Sequence, residues 1–137
     1  EGVTTTPIDR RHQQDAVRVE FTGESPAQVY QGVSDGEPID LKRYFNSGGA
    51  LEFEIAIDST PTVPIKVAMH CMWPCIGEVD LYRYVSGNVQ LGDWMTISIP
   101  LADFEEAGMD FAITSTPFLV NTDQPLKIRL GMVRFTP

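Results

Sequence analysis

Hydrophobic and polar residues alternate along short segments of the chain, and a period of two is typical of β-strands with one buried face. In AVRVEFT, Val17, Val19 and Phe21 share one face. The segments ALEFEIAI, PIKVAMHC and LKIRLGM alternate in the same way. Clusters of Gly, Pro, Asn, Asp and Ser separate these segments and mark turns. The pattern predicts an all-β fold, a two-sheet antiparallel β-sandwich of the jelly-roll type, with one face of each sheet in water.

One segment departs from this alternation. In ADFEEAG, Pro100 or Asp103 can begin a helix, two glutamates suit its N-terminus, and Gly108 can end it. We therefore predict one short helix within the sandwich. Residues 1–15 are polar and are predicted to be a tail or linker, which leaves residues 16–137 as a single domain.

Aromatic side chains fall on faces that the alternation predicts to be exposed. In DWMTISIPL, Trp94 shares its face with Thr96 and Ser98, whereas Met95 points inward. The other residues placed on such faces are Tyr30, Gln28, Tyr82 and Asp80. A rigid, exposed aromatic ring can bind a flat ligand at little entropic cost. It can equally cover a sheet edge, so Trp94 is open to a structural or a binding role.

The only two cysteines of the sequence, Cys71 and Cys75, enclose a short loop that carries Trp73 and Pro74. A disulfide across so short a loop gains little chain entropy, about 2 kcal/mol, and mainly makes the loop rigid. We predict this disulfide, and with it an oxidising compartment and a secreted protein. Because the loop would then hold Trp73 in place, we expect this ring to have a functional role.

Other interpretations of the cysteines stay open. Zinc would use His12, His70, Cys71 and Cys75, but the second closely spaced ligand pair of a structural zinc site is missing. Thiol redox chemistry favours a C-x-x-C spacing at a helix start, which the sequence lacks. Two free, buried cysteines are the remaining interpretation. We therefore predict no metal at this loop.

Charge and motifs exclude several classes of function. The 137 residues include 10 Lys and Arg and 19 Asp and Glu, a net charge of −9. This charge argues against nucleic acid and against an anionic membrane surface as partners, and no apolar run approaches the ~20 residues of a membrane span. Paired carboxylates are uninformative among so many acids, and the motifs of nucleophilic, zinc-dependent or phosphate-binding enzymes are absent. We therefore predict that the protein is not an enzyme.

Calcium is a further metal ion to be considered. Acidic residues occur in turns around Asp58, Glu78 and Asp123, and calcium prefers oxygen ligands. No turn has an EF-hand-like spacing. The prediction is therefore no cofactor, with a structural calcium ion as an alternative.

Three segments in the second half of the chain carry a family resemblance. MHCMWPCIGEVDL, GDWMTISIPLADFEEAGMDF and TPFLVNTDQPLKIRLGMVRF occur in this order within residues 49–136. They resemble the C-terminal β-sandwich domain of bacterial family 3 exo-1,4-β-glucan glucohydrolases, which is related in shape to galactose-binding-like jelly rolls. The matching positions are Cys71, Pro74, Cys75, Gly77, Trp94, Thr96, Ile99, Pro100, Leu101, Phe104, Ala107, Gly108, Asp110, Thr116, Pro117, Phe118, Val133 and Arg134.

Two positions depart from the family pattern. Asp103 stands where the family often has a third cysteine, and Met132 where an acidic or amide residue often precedes the final Val-Arg. The second departure removes one candidate ligand for the calcium ion that many jelly-roll modules bind. A freestanding domain of this lineage looks like a carbohydrate-binding module, with carbohydrate-binding module family 81 as the closest candidate. The resemblance implies no catalytic residues.

Resemblance and aromatic pattern together predict a non-catalytic module. It would bind β-1,4- or mixed-linked β-glucans, namely cello-oligosaccharides, β-glucan or xyloglucan, and hold an appended glycoside hydrolase near plant cell wall. Trp73 is predicted to be the principal stacking ring. The secondary candidates are Trp94, Tyr82, Tyr30, Gln28, Asp80 and Gln124. The alternative is a structural domain that packs against a catalytic domain through the same aromatic patch.

Overall fold

The structure is a computed structural model. It describes residues 3–8, 16–21, 27–31, 39–59, 65–72, 74–85, 89–122 and 124–136. The strands are β1 (Val3–Ile8), β2 (Ala16–Phe21), β3 (Ala27–Gln31), β4 (Ala50–Ile57), β5 (Lys66–Cys71), β6 (Ile76–Asp80), β7 (Trp94–Pro100), β8 (Thr114–Thr122) and β9 (Leu126–Thr136). The helices are α1 (Lys42–Asn46) and α2 (Leu101–Glu106), and two 3₁₀ turns span Leu81–Tyr84 and Phe111–Ile113.

The strands form two antiparallel sheets. The five-stranded sheet has the order β1-β2-β9-β4-β7, and the four-stranded sheet has the order β3-β8-β5-β6. Neighbouring strands run antiparallel throughout the pairings of the described residues. The predicted all-β, two-sheet antiparallel sandwich is therefore confirmed.

The core lies between the two sheets. The alternation of β4 turns Leu51, Phe53, Ile55 and Ile57 inward, and none of them is exposed. Phe53 meets Phe118 of the other sheet, with ring centroids 5.1 Å apart. Each buried side chain of this size contributes about 1.5–3 kcal/mol to folding through the hydrophobic effect. The core therefore fixes which face of each strand meets water.

The segment predicted as a tail or linker contains a strand. Within residues 1–15, β1 pairs with β2 from Val3 opposite Phe21 to Ile8 opposite Ala16. Because β1 is an edge strand with three exposed threonines, it needs few apolar residues, and hydrophobic alternation does not detect it. The prediction has to be corrected for Val3–Ile8, which belongs to the sandwich.

The predicted helix is present as α2, where Leu101 and Phe104 are buried and Gly108 follows at a positive φ of 119°. The structure adds a second short helix, α1. Its segment has too few residues for a helical period, and the cluster NSGG marks only its end. Of the two helices, α2 packs on β6 of the four-stranded sheet and also contacts α1.

Candidate functional site

The predicted site residues are distributed over different parts of the sandwich. Residues paired across neighbouring strands lie on the same face of a sheet. One such row crosses the four-stranded sheet through Gln28, Asn121, Lys66 and Asp80. The backbone register of β3 puts Tyr30 in another row, opposite Leu119. The predicted residues Gln28, Tyr30 and Asp80 therefore belong to one sheet.

Asp80 and Tyr82, both predicted to lie on an exposed strand face, do not belong to one continuous strand. β6 ends at Asp80, whose carboxylate accepts a hydrogen bond of 3.0 Å from the backbone N–H of Tyr82 and so begins the Leu81–Tyr84 turn. Tyr82 packs half-buried against the core. Its burial, together with the charge of Asp80, raises the pKa of Tyr82 above its ordinary value. Tyr82 therefore lies at the end of the sheet and not along a strand face.

The predicted disulfide between Cys71 and Cys75 is present. The backbone N–H of Cys71 donates to the carbonyl of Cys75 at 2.9 Å, and that of Cys75 donates to the carbonyl of Met72 at 3.0 Å. The loop is thus closed by backbone bonds as well as by the disulfide. Trp73 lies outside the described residues, so its role as principal ring stays a prediction.

The disulfide loop is anchored to the segment before β8 and to the start of β8 itself. The backbone N–H of Asp110 donates to Cys71 Sγ at 3.3 Å. Ser115 Oγ donates to the carbonyl of Cys71 at 2.9 Å. Because Cys71 is fully buried, the loop starts from a rigid point of the core. Cys71, where the loop begins, is therefore fixed at one end of the four-stranded sheet.

Trp94 lies on the other sheet, at the start of β7. It pairs with Ala56 of β4, which in turn pairs with Arg129 of β9, so all three share one face. The guanidinium carbon of Arg129 lies 5.1 Å from the centroid of the half-buried Trp94 ring. The ring therefore lies on the outer face of the five-stranded sheet beside a fixed cation.

Arg129 is held in turn by three hydrogen bonds. Its Nε and Nη2 donate to the Asp58 carboxylate at 2.8 and 2.9 Å, and Nη2 also donates to the carbonyl of Gly92 at 2.8 Å. The outward position of Arg129 is visible in the alternation of LKIRLGM. Its partner Asp58 is 71 positions away in the sequence, so no local pattern could reveal the pair.

Gln124 lies at the opposite end of the four-stranded sheet from the disulfide. It is exposed in the turn between β8 and β9, and its backbone N–H donates to Thr122 Oγ1 at 3.3 Å. Cys71 pairs with Thr114 at the start of β8. Eight residues of extended chain span about 26 Å. Gln124, the disulfide loop and Trp94 therefore do not form one continuous platform.

Two acidic residues of the calcium alternative already have partners. Asp58 bonds Arg129, and Glu78 Oε2 accepts a hydrogen bond of 2.9 Å from Asn121 Nδ2. Asp123 lies outside the described residues. Within the described residues, no group of three or more His, Cys, Asp or Glu side chains is arranged to hold a metal ion. None of the helices in this part of the chain is long and apolar enough to cross a membrane.

Asp103, which departs from the family pattern, has a structural partner. It accepts a hydrogen bond of 2.7 Å from Tyr84 Oη and so ties the Leu81–Tyr84 turn to α2. Burial, and after it the bond to Asp103, raises the pKa of Tyr84 to about 12. A tyrosine–carboxylate hydrogen bond thus occupies the position where the family often has a third cysteine.

We expect Tyr84→Phe to lower the free energy of unfolding at neutral pH by about 1 kcal/mol, because Asp103 loses a partly buried hydrogen bond. The raised pKa means that the folded state favours the neutral phenol. Its contribution is complete below pH 10 and is lost as the pH rises towards 12. Urea denaturation between pH 7 and about 11.5 should therefore show a difference between wild type and variant that shrinks at high pH. Tyr44→Phe, which removes an exposed bond to Arg43, is the matched control, and a difference independent of pH would contradict the argument.

A family model described as galactose-binding domain-like, Exop_C, matches residues 1–135. The chain belongs to this family. The predicted galactose-binding-like fold is therefore confirmed for the Exop_C chain, whereas the assignment to carbohydrate-binding module family 81 stays a prediction. Among curated proteins, no sequence matches this Exop_C chain significantly.

Solved structures of similar fold include both a domain of a longer enzyme and separate modules. Exo-1,3/1,4-β-glucanase (ExoP) from a Pseudoalteromonas species is 21% identical with a TM-score of 0.75, and the match covers 99% of this chain and 16% of that enzyme. Its extra C-terminal domain is 19% identical with a TM-score of 0.70, and the match covers 99% of this chain and 70% of that one. The Exop_C chain thus spans only a small part of the whole glucanase.

The second group consists of family 30 carbohydrate-binding modules. One of them, from a cellulosomal cellulase of Clostridium thermocellum, is 16% identical with a TM-score of 0.75. The match covers 98% of this chain and 81% of that module. At this level of identity the likeness shows the fold.

Proposed function

We propose that this Exop_C chain is a non-catalytic carbohydrate-binding module for β-1,4- or mixed-linked β-glucans. The observation that carries the proposal is its likeness, over nearly its whole length, to a family 30 carbohydrate-binding module. Its ligands are cello-oligosaccharides, β-glucan or xyloglucan. In the full-length protein it holds an attached glycoside hydrolase near plant cell wall, and the disulfide suits the oxidising extracellular space.

The proposed mechanism is stacking of glucose rings on fixed aromatic side chains. The axial C–H groups of a β-linked glucose ring present a flat apolar surface, which fits the face of an indole. Trp73, in the loop closed by the disulfide, is the principal ring, and Trp94 is a second platform on the other sheet. The rings of Tyr30 and Tyr82 contribute further contact. The remaining candidates, which bond the sugar hydroxyl groups, are Gln28, Asp80 and Gln124.

Isothermal titration of the isolated module tests this proposal. We expect heat with cellopentaose, barley β-glucan and xyloglucan. Trp73→Ala should weaken the affinity about five- to 150-fold, since stacking of a flat ligand on one aromatic ring is worth roughly 1–3 kcal/mol. Tyr44→Ala, which removes a half-buried ring beside Phe135, is the control for a general effect of aromatic truncation. Heat that survives Trp73→Ala but is lost in Trp94→Ala would move the platform to the five-stranded sheet. Absence of heat with all three glucans would refute the proposal.

One observation favours a second function, docking against a neighbouring domain. Met72, Ile76 and Ile113 are large apolar residues that are exposed. Because Cys71 pairs with Thr114 and His70 pairs with Ile76, these three residues lie together at the disulfide end of the four-stranded sheet. Slower hydrogen exchange at Met72 and Ile113 in the full-length protein than in the isolated module, together with absence of glucan binding, would support this function instead.

A further inference from the structure

The outer face of the five-stranded sheet holds an aromatic ring and a cation that meet across a small residue. Trp94 and Arg129 are two strands apart, a backbone separation of about 9.6 Å. Ala56 lies between them and is completely buried. A larger residue at this position would keep the two long side chains apart. The small side chain of Ala56 therefore lets the guanidinium of Arg129 reach the indole of Trp94.

Arg129 is fixed more firmly than a surface arginine usually is. Its bidentate bond to Asp58 and its bond to the carbonyl of Gly92 come from two different loops, at the end of β4 and just before β7. Gly92 adopts a positive φ of 81°, and its N–H donates to the carbonyl of Ile57 at 2.9 Å. The three hydrogen bonds fix the orientation of the Arg129 guanidinium plane. The guanidinium in turn fixes the orientation of the Trp94 ring beside it.

Two neighbouring charged residues, Arg18 and Asp58, act on Arg129 in opposite directions. Arg18 of β2 pairs with Arg129 on the same face, and two arginines side by side repel each other. Asp58 compensates the charge of Arg129, and the side chains of both residues are only partly exposed. A cation is attracted to an aromatic face at such sites, and the attraction grows as water is excluded. Arg129 therefore stays on the ring in spite of Arg18.

We propose that Arg129, held by Asp58, is a positioning residue that orients Trp94 as a sugar-binding platform. This inference rests on the proposed function. Arg129 acts through the ring and not through contact with the glucan. A ring that can turn about its two side-chain torsions loses entropy when a sugar stacks on it, and the clamp removes that cost before binding.

A double-mutant cycle in glucan affinity tests the positioning role. We expect Arg129→Met to weaken cellopentaose binding between about threefold and thirtyfold, the range in which mutations modulate coupling between two groups. In the Trp94→Ala background the same substitution should have no further effect, because the residue through which it acts is gone. Asp58→Asn should weaken binding in the same direction, and it replaces Arg129→Met in the cycle if that variant does not fold.

Arg134→Met is the matched control. Arg134 lies on the same strand and pairs with Glu52 on the same face, away from Trp94. The substitution should leave the affinity unchanged. In the Trp73→Phe background Trp94 is the only tryptophan. The tryptophan band in near-ultraviolet circular dichroism then reports how firmly the Trp94 ring is held in one orientation. Arg129→Met should weaken that band, whereas Arg134→Met should not.

The affinities of these variants support or overturn the positioning role of Arg129. Equal loss of affinity in both backgrounds would mean that Arg129 contacts the sugar or supports the whole domain, and would overturn the positioning role. Unchanged affinity in Arg129→Met, or in Trp94→Ala, would overturn it while the proposed function stands. Absence of glucan binding by the unmodified module would remove the proposed function, and with it the inference.

Discussion

Gly77→Ala is expected to lower the free energy of unfolding by about 2–3 kcal/mol, because it forces a methyl group into a filled contact. A Cβ at Gly77 would lie 2.6 Å from the carbonyl oxygen of Phe104 and 2.9 Å from the Cβ of Met109. The first of these is a backbone atom of α2, which a rotamer change cannot move. Alanine would also favour the strand slightly over glycine, but this gain is smaller than the strain. Glycine at this position therefore lets α2 pack directly on β6.

Urea denaturation followed by circular dichroism measures this effect. The matched control is Ile76→Thr on the same strand, since Ile76 is exposed and threonine keeps the β-branched shape. We expect the control to change stability by no more than about 0.5 kcal/mol. A Gly77→Ala variant as stable as wild type would mean that α2 can shift away from β6 at little cost. The shift would then be visible in an experimental structure of the variant.

Replacing both cysteines by serine is expected to lower the free energy of unfolding by about 2 kcal/mol, the chain-entropy contribution of so small a loop. Serine is chosen because its hydroxyl can still accept the N–H of Asp110, which now donates to Cys71 Sγ. The stability loss is thereby separated from the loss of a hydrogen bond. If the disulfide holds Trp73 for binding, glucan affinity should fall as well, at temperatures where the variant remains folded.

Reduction provides an independent check of the same bond. A thiol reductant should destabilise the wild type and leave the double Cys71→Ser, Cys75→Ser variant unchanged. Loss of stability without any change in glucan affinity would limit the disulfide to a structural role. That outcome would also favour Trp94 over Trp73 as the binding ring, because Trp94 is held by Arg129 independently of the loop.

The family match defines the fold of the domain but not the residues of its candidate site. The Exop_C match covers residues 1–135 and defines the fold and lineage of the domain. Within that fold, the predicted residues occur on two sheets and at both ends of one of them. Under the proposed function, these residues would form one sugar-binding surface or two. The comparison of Trp73→Ala with Trp94→Ala distinguishes these arrangements.

The alternation of hydrophobic and polar residues predicts the side chains of a central strand but misses strand ends and edge strands. The alternation of β4 correctly predicted the large apolar side chains that face the core, because one face of the strand packs on the opposite sheet. It failed at Tyr82, where the carboxylate of Asp80 captures a backbone N–H and ends the strand. It also failed at Val3–Ile8, where an edge strand needs hydrogen-bonding partners more than apolar side chains.

The sequence by itself determined the all-β class, the antiparallel sandwich and the helix α2, and it favoured the disulfide over the open alternatives. Each depends on residues close together in the chain, such as alternating apolar positions or two cysteines four residues apart. Only the tertiary structure decided that Trp94 and the disulfide loop belong to different sheets, and that Asp58 and Arg129 meet at Trp94. These contacts join strands far apart in sequence, and strand order, which no local pattern encodes, brings them together.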